Sequence, residues 1–318
     1  MRKMNWSRLS DKIKPFIGLI LLMVIFAAAT GGVSLQPNNL RTVMEQSMAL
    51  MLATIGVFFV MTMGMMDLSV SGVVCACCYV MAKMCSVNIA LGLVLTLATG
   101  LLLGLFNGVV TSVLKVPSFL ATLCTAYICT GVMTSLIASN PAVIPFELYA
   151  VNTFAFKLPM VVALALFAFV LFRFRPFGNY VRLIGCNETA ANYSAINTTR
   201  VRVLCYVIDG GFAACAAFLI GIRAGTAALT SGADLMFNVM VALTLGGFSF
   251  VGGAGARISA AIVGSFTTYI LSNGMLLMGV NTTTMQLIKG GLFLAIILLT
   301  SGTFKALVER VGFKKNIQ

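Results

Sequence analysis

The chain has 318 residues, of which 60% are hydrophobic and only 9% are charged, and its formal net charge is +13. A soluble domain has roughly a quarter of its residues charged, so this composition excludes a water-soluble globule and indicates a protein embedded in lipid. The basic residues flank apolar runs, which excludes a nucleic-acid-binding domain, and the lack of histidine excludes a Ser-His-Asp triad.

Continuous apolar runs, such as residues 16–29 and 158–172, predict membrane-spanning helices, whereas a β-barrel would alternate apolar and polar residues. Each run is close to the ~20 residues that a helix needs to cross a bilayer. The predicted spans are residues 15–35, 46–66, 69–86, 88–113, 117–138, 158–174, 202–221, 235–251, 256–276 and 284–302. The sequence therefore predicts an all-α membrane protein, a polytopic bundle of about ten transmembrane helices, in a single transmembrane domain over residues 1–318.

Charge asymmetry predicts the orientation of this bundle. The basic N-terminal segment and the small residues Ala27 to Ala29 are similar to a secretory signal, but repeated crossing favours an uncleaved first span. With the N-terminus inside, sixteen of the 21 Lys and Arg residues lie on the cytoplasmic side. We therefore expect both termini to be cytoplasmic and the number of spans to be even.

The fourth predicted span, residues 88–113, is long enough to tilt or to break at its glycines, which are Gly92, Gly100 and Gly104.

Asp67 follows the second span and opens the segment Asp67-Leu68-Ser69. An ionisable residue at membrane depth is often functional. In a tight turn, however, aspartate also accepts backbone N–H groups and caps the next helix. The sequence favours the structural role and leaves contact with a solute open.

The inner connection at residues 175–201 has the pattern of a docking element. Asn187 predicts a helix cap with Glu188 in the first turn and a helix that runs to about Ile196. Three residues that follow this helix could cap the next span: Asn197, Thr198 and Thr199. Small side chains form the body of this helix: Ala190, Ala191 and Ser194. A helix with a small-residue face between two caps favours close approach by another protein, although an ordinary loop remains an alternative.

Two charges lie within predicted spans. Asp209 and Lys289 are each followed by two glycines, which permit close helix approach. A charge in lipid requires a partner or a wet cavity, and pairing of these two residues is one possibility. Structural and functional roles for both residues stay open.

Other motifs favour structural roles. No G-x-x-x-x-G-K-[ST] motif occurs, so a partner must perform any ATP hydrolysis. The glycines at 246–255 fit a tight turn better than a phosphate site. The cluster of Cys75, Cys77 and Cys78 lacks zinc-site spacing and predicts packing. A weak internal repeat, with 64–70 parallel to 246–251, competes with glycine-rich coincidence.

Several motifs, in chain order, resemble the permease family of bacterial ABC importers for ribose, galactose, xylose and similar sugars. The resemblance covers about residues 50 to 300. Ser71 replaces the last glycine of one motif. Cys186 and Ala195 replace two further glycines, which restricts backbone freedom near the inner connection. The matching segments are residues 64–71, 107–108, 117–123, 185–197, 246–253, 273–274 and 289–290.

The resemblance implies a multi-pass protein of the bacterial inner membrane with four kinds of partner. These are a second permease subunit, identical or homologous, a cytoplasmic ABC ATPase, an extracytoplasmic solute-binding protein, and membrane lipid. ATP and Mg are expected on the ATPase, and no cofactor is expected on this chain. The ATPase-coupling residues implied are Gly185, Asn187, Glu188, Ala190, Ala191, Ser194, Ile196 and Asn197. The pathway or gating candidates are Asp67, Ser69, Asn107, Phe119, Thr122 and Asn273.

The predicted function is therefore that of a permease subunit, not an enzyme, that forms the pathway for a small polar solute, chiefly a monosaccharide. Nucleosides and branched-chain amino acids are alternative solutes. A further hypothesis is an ion-coupled secondary transporter, motivated by Asp67, Asp209 and Lys289. A membrane-embedded enzyme is disfavoured because no metal or nucleophile constellation is present in the sequence.

Overall fold

The computed structural model describes residues 6–249 and 252–300, with the side chains of residues 16–249 and 252–299. The described part is built from thirteen α-helices and contains no strand. The helices are α1 (Trp6–Ala29), α2 (Pro37–Thr62), α3 (Val70–Cys85), α4 (Ile89–Ser112), α5 (Ser118–Ser139), α6 (Phe146–Ala150), α7 (Phe154–Phe174), α8 (Pro176–Cys186), α9 (Glu188–Tyr193), α10 (Thr198–Ala224), α11 (Leu235–Leu245), α12 (Ile258–Leu277) and α13 (Thr282–Thr300).

Each predicted span coincides with one of these helices, namely α1 to α5, α7 and α10 to α13. Seven helices within the described ranges are long and apolar enough to cross a bilayer, and the apolar stretches Phe16–Ala29, Val70–Cys85 and Leu235–Leu245 are shorter. Many of the basic residues behind the predicted orientation, at positions 2–14 and 305–315, have side chains outside the described residues.

The structure refines two of the predicted spans. The eighth span was expected to run to residue 251, but α11 ends at Leu245 because Gly246 follows it and Gly247 adopts a left-handed φ of 75°. The fourth span does not break, since α4 is continuous from Ile89 to Ser112. Its glycines allow close packing against another helix.

Helix α2 forms the centre of the bundle. Every residue from Ser47 to Thr62 is buried, and the helix contacts α7, α10, α11 and α12. A helix that is apolar on all sides can be stable only when it is surrounded in this way. Aromatic rings fill the space around its last turns, with the Phe58 ring 4.8 Å from that of Phe172 and 5.6 Å from that of Phe248.

Helices α4 and α10 pack backbone against backbone. A Cβ atom added to Gly100 would collide with the carbonyl oxygen of Gly210, and one added to Gly104 would collide with that of Tyr206. Such contact requires glycine at the crossing point and brings the polar residues of both helices close to the α2–α3 turn. This crossing positions the buried site described below.

Candidate functional site

The α8–α9 segment contains both predicted caps. The Asn187 side chain accepts a hydrogen bond from the Ala190 N–H at 3.0 Å, and that of Asn197 accepts one from the Arg200 N–H at 3.0 Å. Helix α9 ends at Tyr193, before the predicted Ile196, because Ala195 adopts a left-handed φ of 58°. The preceding helix α8, with Pro176 at its first position, was not predicted.

The small residues that were predicted to form one face of α9 differ in exposure. Ala191 is 3% exposed and packs against the body of the protein, whereas Ala190 and Ser194 are exposed. Glu188 forms an ion pair with Arg202 of α10, which fixes α9 on the bundle. Tyr193 is 89% exposed, so a large aromatic side chain that sequence reasoning missed dominates the outward surface.

Helix α8 is anchored to α7 by a cation–π contact. The Arg182 guanidinium lies 4.1 Å from the centre of the Phe172 ring, an arrangement that keeps the charge while excluding water from one face. Burial lowers the pKa of Arg182 from its ordinary value, and the positive charge of Arg173 adds to this effect. The segment is therefore held at both α8 and α9.

The ends of α2 and α8 meet the turn at residues 252–254 in a contact that we call the glycine junction. The Gly253 N–H donates to the Thr62 carbonyl at 2.9 Å, and the Ala254 N–H donates to the Cys186 Sγ at 3.1 Å. Gly185 lies directly against the same Thr62 carbonyl. Gly253 has a φ of 85°, which confirms the prediction of a tight turn with close helix packing.

A buried polar network connects the α2–α3 turn to α4 and α5. The Asp67 Oδ1 accepts hydrogen bonds from the Ser69 N–H and hydroxyl, both at 2.6 Å. The Asn107 Nδ2 donates to the Ser69 hydroxyl at 2.8 Å, and its Oδ1 accepts from the Thr125 hydroxyl at 2.7 Å. The Thr122 hydroxyl accepts from the Leu68 N–H at 3.1 Å.

Four of the six pathway or gating candidates thus lie together: Asp67, Ser69, Asn107 and Thr122. Asp67 accepts a backbone N–H as predicted, but neither it nor Ser69 caps α3 through a side chain. Thr125, which the motifs did not indicate, completes the network. The sequence could have indicated Thr125 through its position one helical turn after Thr122, on the same face of α5.

The other two candidates lie elsewhere. Phe119 is 52% exposed on the outer face of α5. Asn273 of α12 exchanges hydrogen bonds with Asn39 of α2 at 2.9 and 3.0 Å. These positions separate Phe119 and Asn273 from the buried network.

The two charges within predicted spans do not pair. The Lys289 ammonium donates to the Asn238 Oδ1 at 3.0 Å. Asp209 is 3% exposed and lines a small cavity together with Asp67, Ser69 and Asn107. The suggested pairing of Asp209 with Lys289 is therefore wrong, because α10 and α13 turn these residues towards different neighbours. Close packing is confirmed at the two glycines after Asp209, since a Cβ atom added to Gly210 would collide with the Gly100 carbonyl oxygen and one added to Gly211 would lie 3.2 Å from the Leu101 side chain. A Cβ atom added to either glycine after Lys289 would meet no described atom closer than 4.0 Å.

A polar cavity of about 450 Å³ lies at the opposite end of the bundle from α9. Lys157 lies in its wall, 3% exposed, and donates to the Glu45 Oε2 at 2.7 Å and to the Asn152 Oδ1 at 3.0 Å. The remaining polar lining is Arg223, Thr226, Thr230, Ser231, Asp234, Asn238 and Tyr269. We call this space the outer cavity. Its lining comes from five helices and a loop, so no local sequence pattern could have indicated it.

Cysteine and acidic side chains are the potential metal ligands of the described ranges. No group of three His, Cys, Asp or Glu side chains there is placed to hold a metal ion. Cys75, Cys77 and Cys78 are buried in α3 as predicted packing residues. The polar features therefore consist of the α8–α9 surface with the glycine junction, the buried network, and the outer cavity.

Comparison with known proteins identifies a transport permease family and several permease relatives. Residues 39–297 match the family described as branched-chain amino acid transport system / permease component. The chain is 29% identical to the ribose import permease protein RbsC of Bacillus subtilis (strain 168), over 94% of this chain and 95% of the relative. It is 27% identical to the galactofuranose transporter permease protein YtfT of Escherichia coli (strain K12), over 98% and 94%. It is 30% identical to the probable ABC transporter permease protein YphD of the same strain, over 94% and 93%. No solved structure matches the chain.

Proposed function

We propose a function from one premise: the chain belongs to the family of branched-chain amino acid transport system permease components. On this proposal the chain is the permease subunit of an ATP-driven importer in the bacterial inner membrane. With a second permease subunit, identical or homologous, it forms the pathway for a small polar solute. A separate ABC ATPase supplies the energy, and an extracytoplasmic binding protein delivers the solute.

The proposed solute is a monosaccharide. Two of the relatives that align over most of this chain are a ribose import permease and a galactofuranose transporter permease. The outer cavity supports this choice because its hydroxyl and amide groups suit the hydrogen bonding of a sugar. The charged groups of its described lining are the ion-paired Glu45 and Lys157 together with Arg223 and Asp234, which carry no net charge in total, so the cavity does not require a charged solute.

We further propose ten membrane spans, with both termini in the cytoplasm. The seven long apolar helices and the three shorter apolar stretches together support this count. The orientation puts the α8–α9 segment in the cytoplasm and the outer cavity on the side of the binding protein. Arg173, Arg175, Arg182, Arg200 and Arg202 all belong to this one connection or its flanks, as cytoplasmic loops require.

The α8–α9 segment is the proposed docking site of the ATPase, and the arrangement of its side chains supports the proposal. Tyr193 projects outward, while Ala191 and the Glu188–Arg202 ion pair hold the segment on the bundle. Movement of the segment would reach the end of α2 through Gly185 and Thr62 at the glycine junction. Alternating access requires this kind of connection between a ligand-sensitive surface and the pathway.

The docking site is tested by replacing Tyr193 with arginine in the reconstituted importer. Exposed aromatic anchors carry a large share of interface energy, so Tyr193→Arg should lower ATPase co-purification and transport at least about tenfold, equivalent to ~1.4 kcal/mol. Tyr149→Arg is the matched control, since Tyr149 is 47% exposed at the opposite end. Normal ATPase binding by Tyr193→Arg would contradict the assignment.

The solute class is tested on the binding protein encoded beside this chain. Its melting temperature is measured with a panel of pentoses, hexoses, nucleosides and branched-chain amino acids, because a bound ligand stabilises the folded state. Stabilisation by a monosaccharide, followed by ATP-dependent uptake of that sugar into vesicles, supports the proposal. Uptake that persists without ATP and collapses with an uncoupler would favour the ion-coupled alternative.

A further inference from the structure

We propose that Asp67 and Asp209 form a buried proton-binding site, in which Asp209 holds one proton and donates it in a hydrogen bond to the ionised Asp67. The site lies between the α2–α3 turn, α4 and α10. This proposal does not depend on which solute the protein transports.

Burial is the first observation. Asp67 and Asp209 are each 3% exposed, and both line a cavity of about 10 Å³, which holds at most about one water molecule. Asp209 lies eleven residues into α10, roughly 17 Å along the helix axis from its first residue. An ionised carboxylate in such a place requires a partner or must carry a proton.

The described surroundings of Asp209 lack a hydrogen-bond donor for its carboxyl group. Neither of its carboxyl oxygens receives a hydrogen bond from any donor in the described part of the chain. The Asp209 carboxyl group nevertheless lies beside that of Asp67, since both line the same small cavity. Two ionised carboxylates are both acceptors, so this contact becomes a hydrogen bond only when one of them is protonated.

We place the proton on Asp209 because the Asp67 carboxyl group already has hydrogen-bond donors. The Oδ1 of Asp67 accepts both the N–H and the hydroxyl of Ser69. A protonated Asp209 supplies a further donor to the same carboxylate. The carboxyl oxygens of Asp209 have no hydrogen-bond partner among the described residues, so a proton on Asp209 provides this group with a hydrogen bond that it otherwise lacks.

The surroundings supply no cation that could replace the proton. The titratable groups that act on or beside Asp209 are Asp67, Cys205 and Tyr206. Helix α2 presents Gly56 to the Asp209 carboxyl, and α4 presents Gly100 and Gly104 to this part of α10. Within the described ranges the pair therefore faces neutral groups, with no lysine or arginine among them.

A sodium ion fits this site less well than a proton. Cations of this kind need several free oxygen ligands, but the Ser69 hydroxyl already donates to Asp67 and accepts from Asn107. The Asn107 Oδ1 is occupied by the Thr125 hydroxyl. The Asp209 carboxyl oxygens are without a hydrogen-bond partner in the part of the chain that the structure describes, which suits a proton between two carboxyl groups.

Infrared spectroscopy of the purified full-length protein in lipid nanodiscs tests the proposal. At neutral pH the wild-type protein should show the carbonyl stretch of a protonated carboxylic acid, which shifts when H₂O is exchanged for D₂O. Asp209→Asn should lose this band while remaining folded, because the amide keeps the shape and donates to Asp67. Absence of the band from wild-type protein, or its persistence in Asp209→Asn, would overturn the assignment.

Two controls distinguish a proton on Asp209 from a proton on another carboxyl group and from a bound cation. Glu147 is an exposed carboxylate, and Glu147→Gln should keep the band, while its loss there would move the proton away from Asp209. Replacement of sodium by choline at constant ionic strength should leave the melting temperature of wild-type protein unchanged. A sodium-specific stabilisation that disappears in Asp209→Asn would show a cation site and overturn the proton.

Discussion

Ala195 stores conformational strain at the end of α9. Its φ of 58° lies in the left-handed region, where a side chain with a Cβ atom is disfavoured. The ABC sugar permeases that the chain resembles have glycine at this point of the motif. We predict that Ala195→Gly stabilises the protein by about 1 kcal/mol, measured as a rise in melting temperature in detergent.

The matched control for this prediction is Ala190→Gly, since Ala190 lies within α9 at an exposed position with ordinary helical geometry. Glycine there should destabilise α9 by up to ~1 kcal/mol, because glycine gains unfolded-state freedom without relieving strain. An equal change in both variants would contradict the strain argument.

At the residue scale, local interactions were predictable from the sequence and tertiary neighbours were not. The caps at Asn187 and Asn197 depend on backbone groups three residues away, so the sequence could indicate Asn187 and place the second cap at residues 197–199. The burial of Ala191 and the separation of Asp209 from Lys289 depend on how helices rotate about their axes. An apolar composition with little periodicity carries almost no information about that rotation.

The α4–α10 contact is the closest helix crossing that involves the buried site. Gly104 lies against the carbonyl oxygen of Tyr206, with backbone on the facing side and no flexible side chain to move. We predict that Gly104→Leu separates the two helices and destabilises the protein by about 3 kcal/mol. The measurement is the melting temperature, together with solute uptake by the reconstituted importer.

Gly131 in α5 provides the control, because a Cβ atom there would meet no atom within 4 Å. Gly131→Ala should be neutral or stabilising by up to ~1 kcal/mol, since alanine is the better helix former. If Gly104→Leu melted at the wild-type temperature, the α4–α10 crossing would not require glycine.

Among the elements, the long apolar helices were the easiest to predict and the short ones the hardest. Ten apolar runs correspond to ten helices because a membrane requires each segment to satisfy its own backbone hydrogen bonds. Helix α8 was missed because its mixture of basic and apolar residues fits a loop as well as a helix. The glycines of α4 allowed either a break or a close contact, and only the neighbouring α10 decides between them.

At the scale of the whole molecule, composition predicted the environment of the protein but not its internal spaces. The apolar content and the ordered motifs indicated a membrane-embedded permease, and the match over residues 39–297 agrees with this. The outer cavity and the glycine junction each combine segments that are far apart in the chain, such as Thr62 with Gly253. Contacts of this kind follow from the tertiary fold and leave no local pattern.

The proposed orientation of the molecule can be tested with a native cysteine. Cys186 is exposed at the end of α8, and Cys124, the other exposed cysteine of the nine, lies within the apolar α5. We predict that a membrane-impermeant maleimide labels Cys186 in inside-out vesicles and not in intact cells, because the α8–α9 segment faces the cytoplasm. Cys186→Ser should abolish this labelling.

A second labelling site tests the opposite side of the membrane. Val87, which is 77% exposed in the short connection between α3 and α4, is expected on the outside. In the Cys186→Ser background, Val87→Cys should be labelled in intact cells and protected in sealed inside-out vesicles. The reverse pattern at both positions would invert the orientation. It would then separate the ATPase from its proposed docking surface, since the ATP that drives import is available only in the cytoplasm.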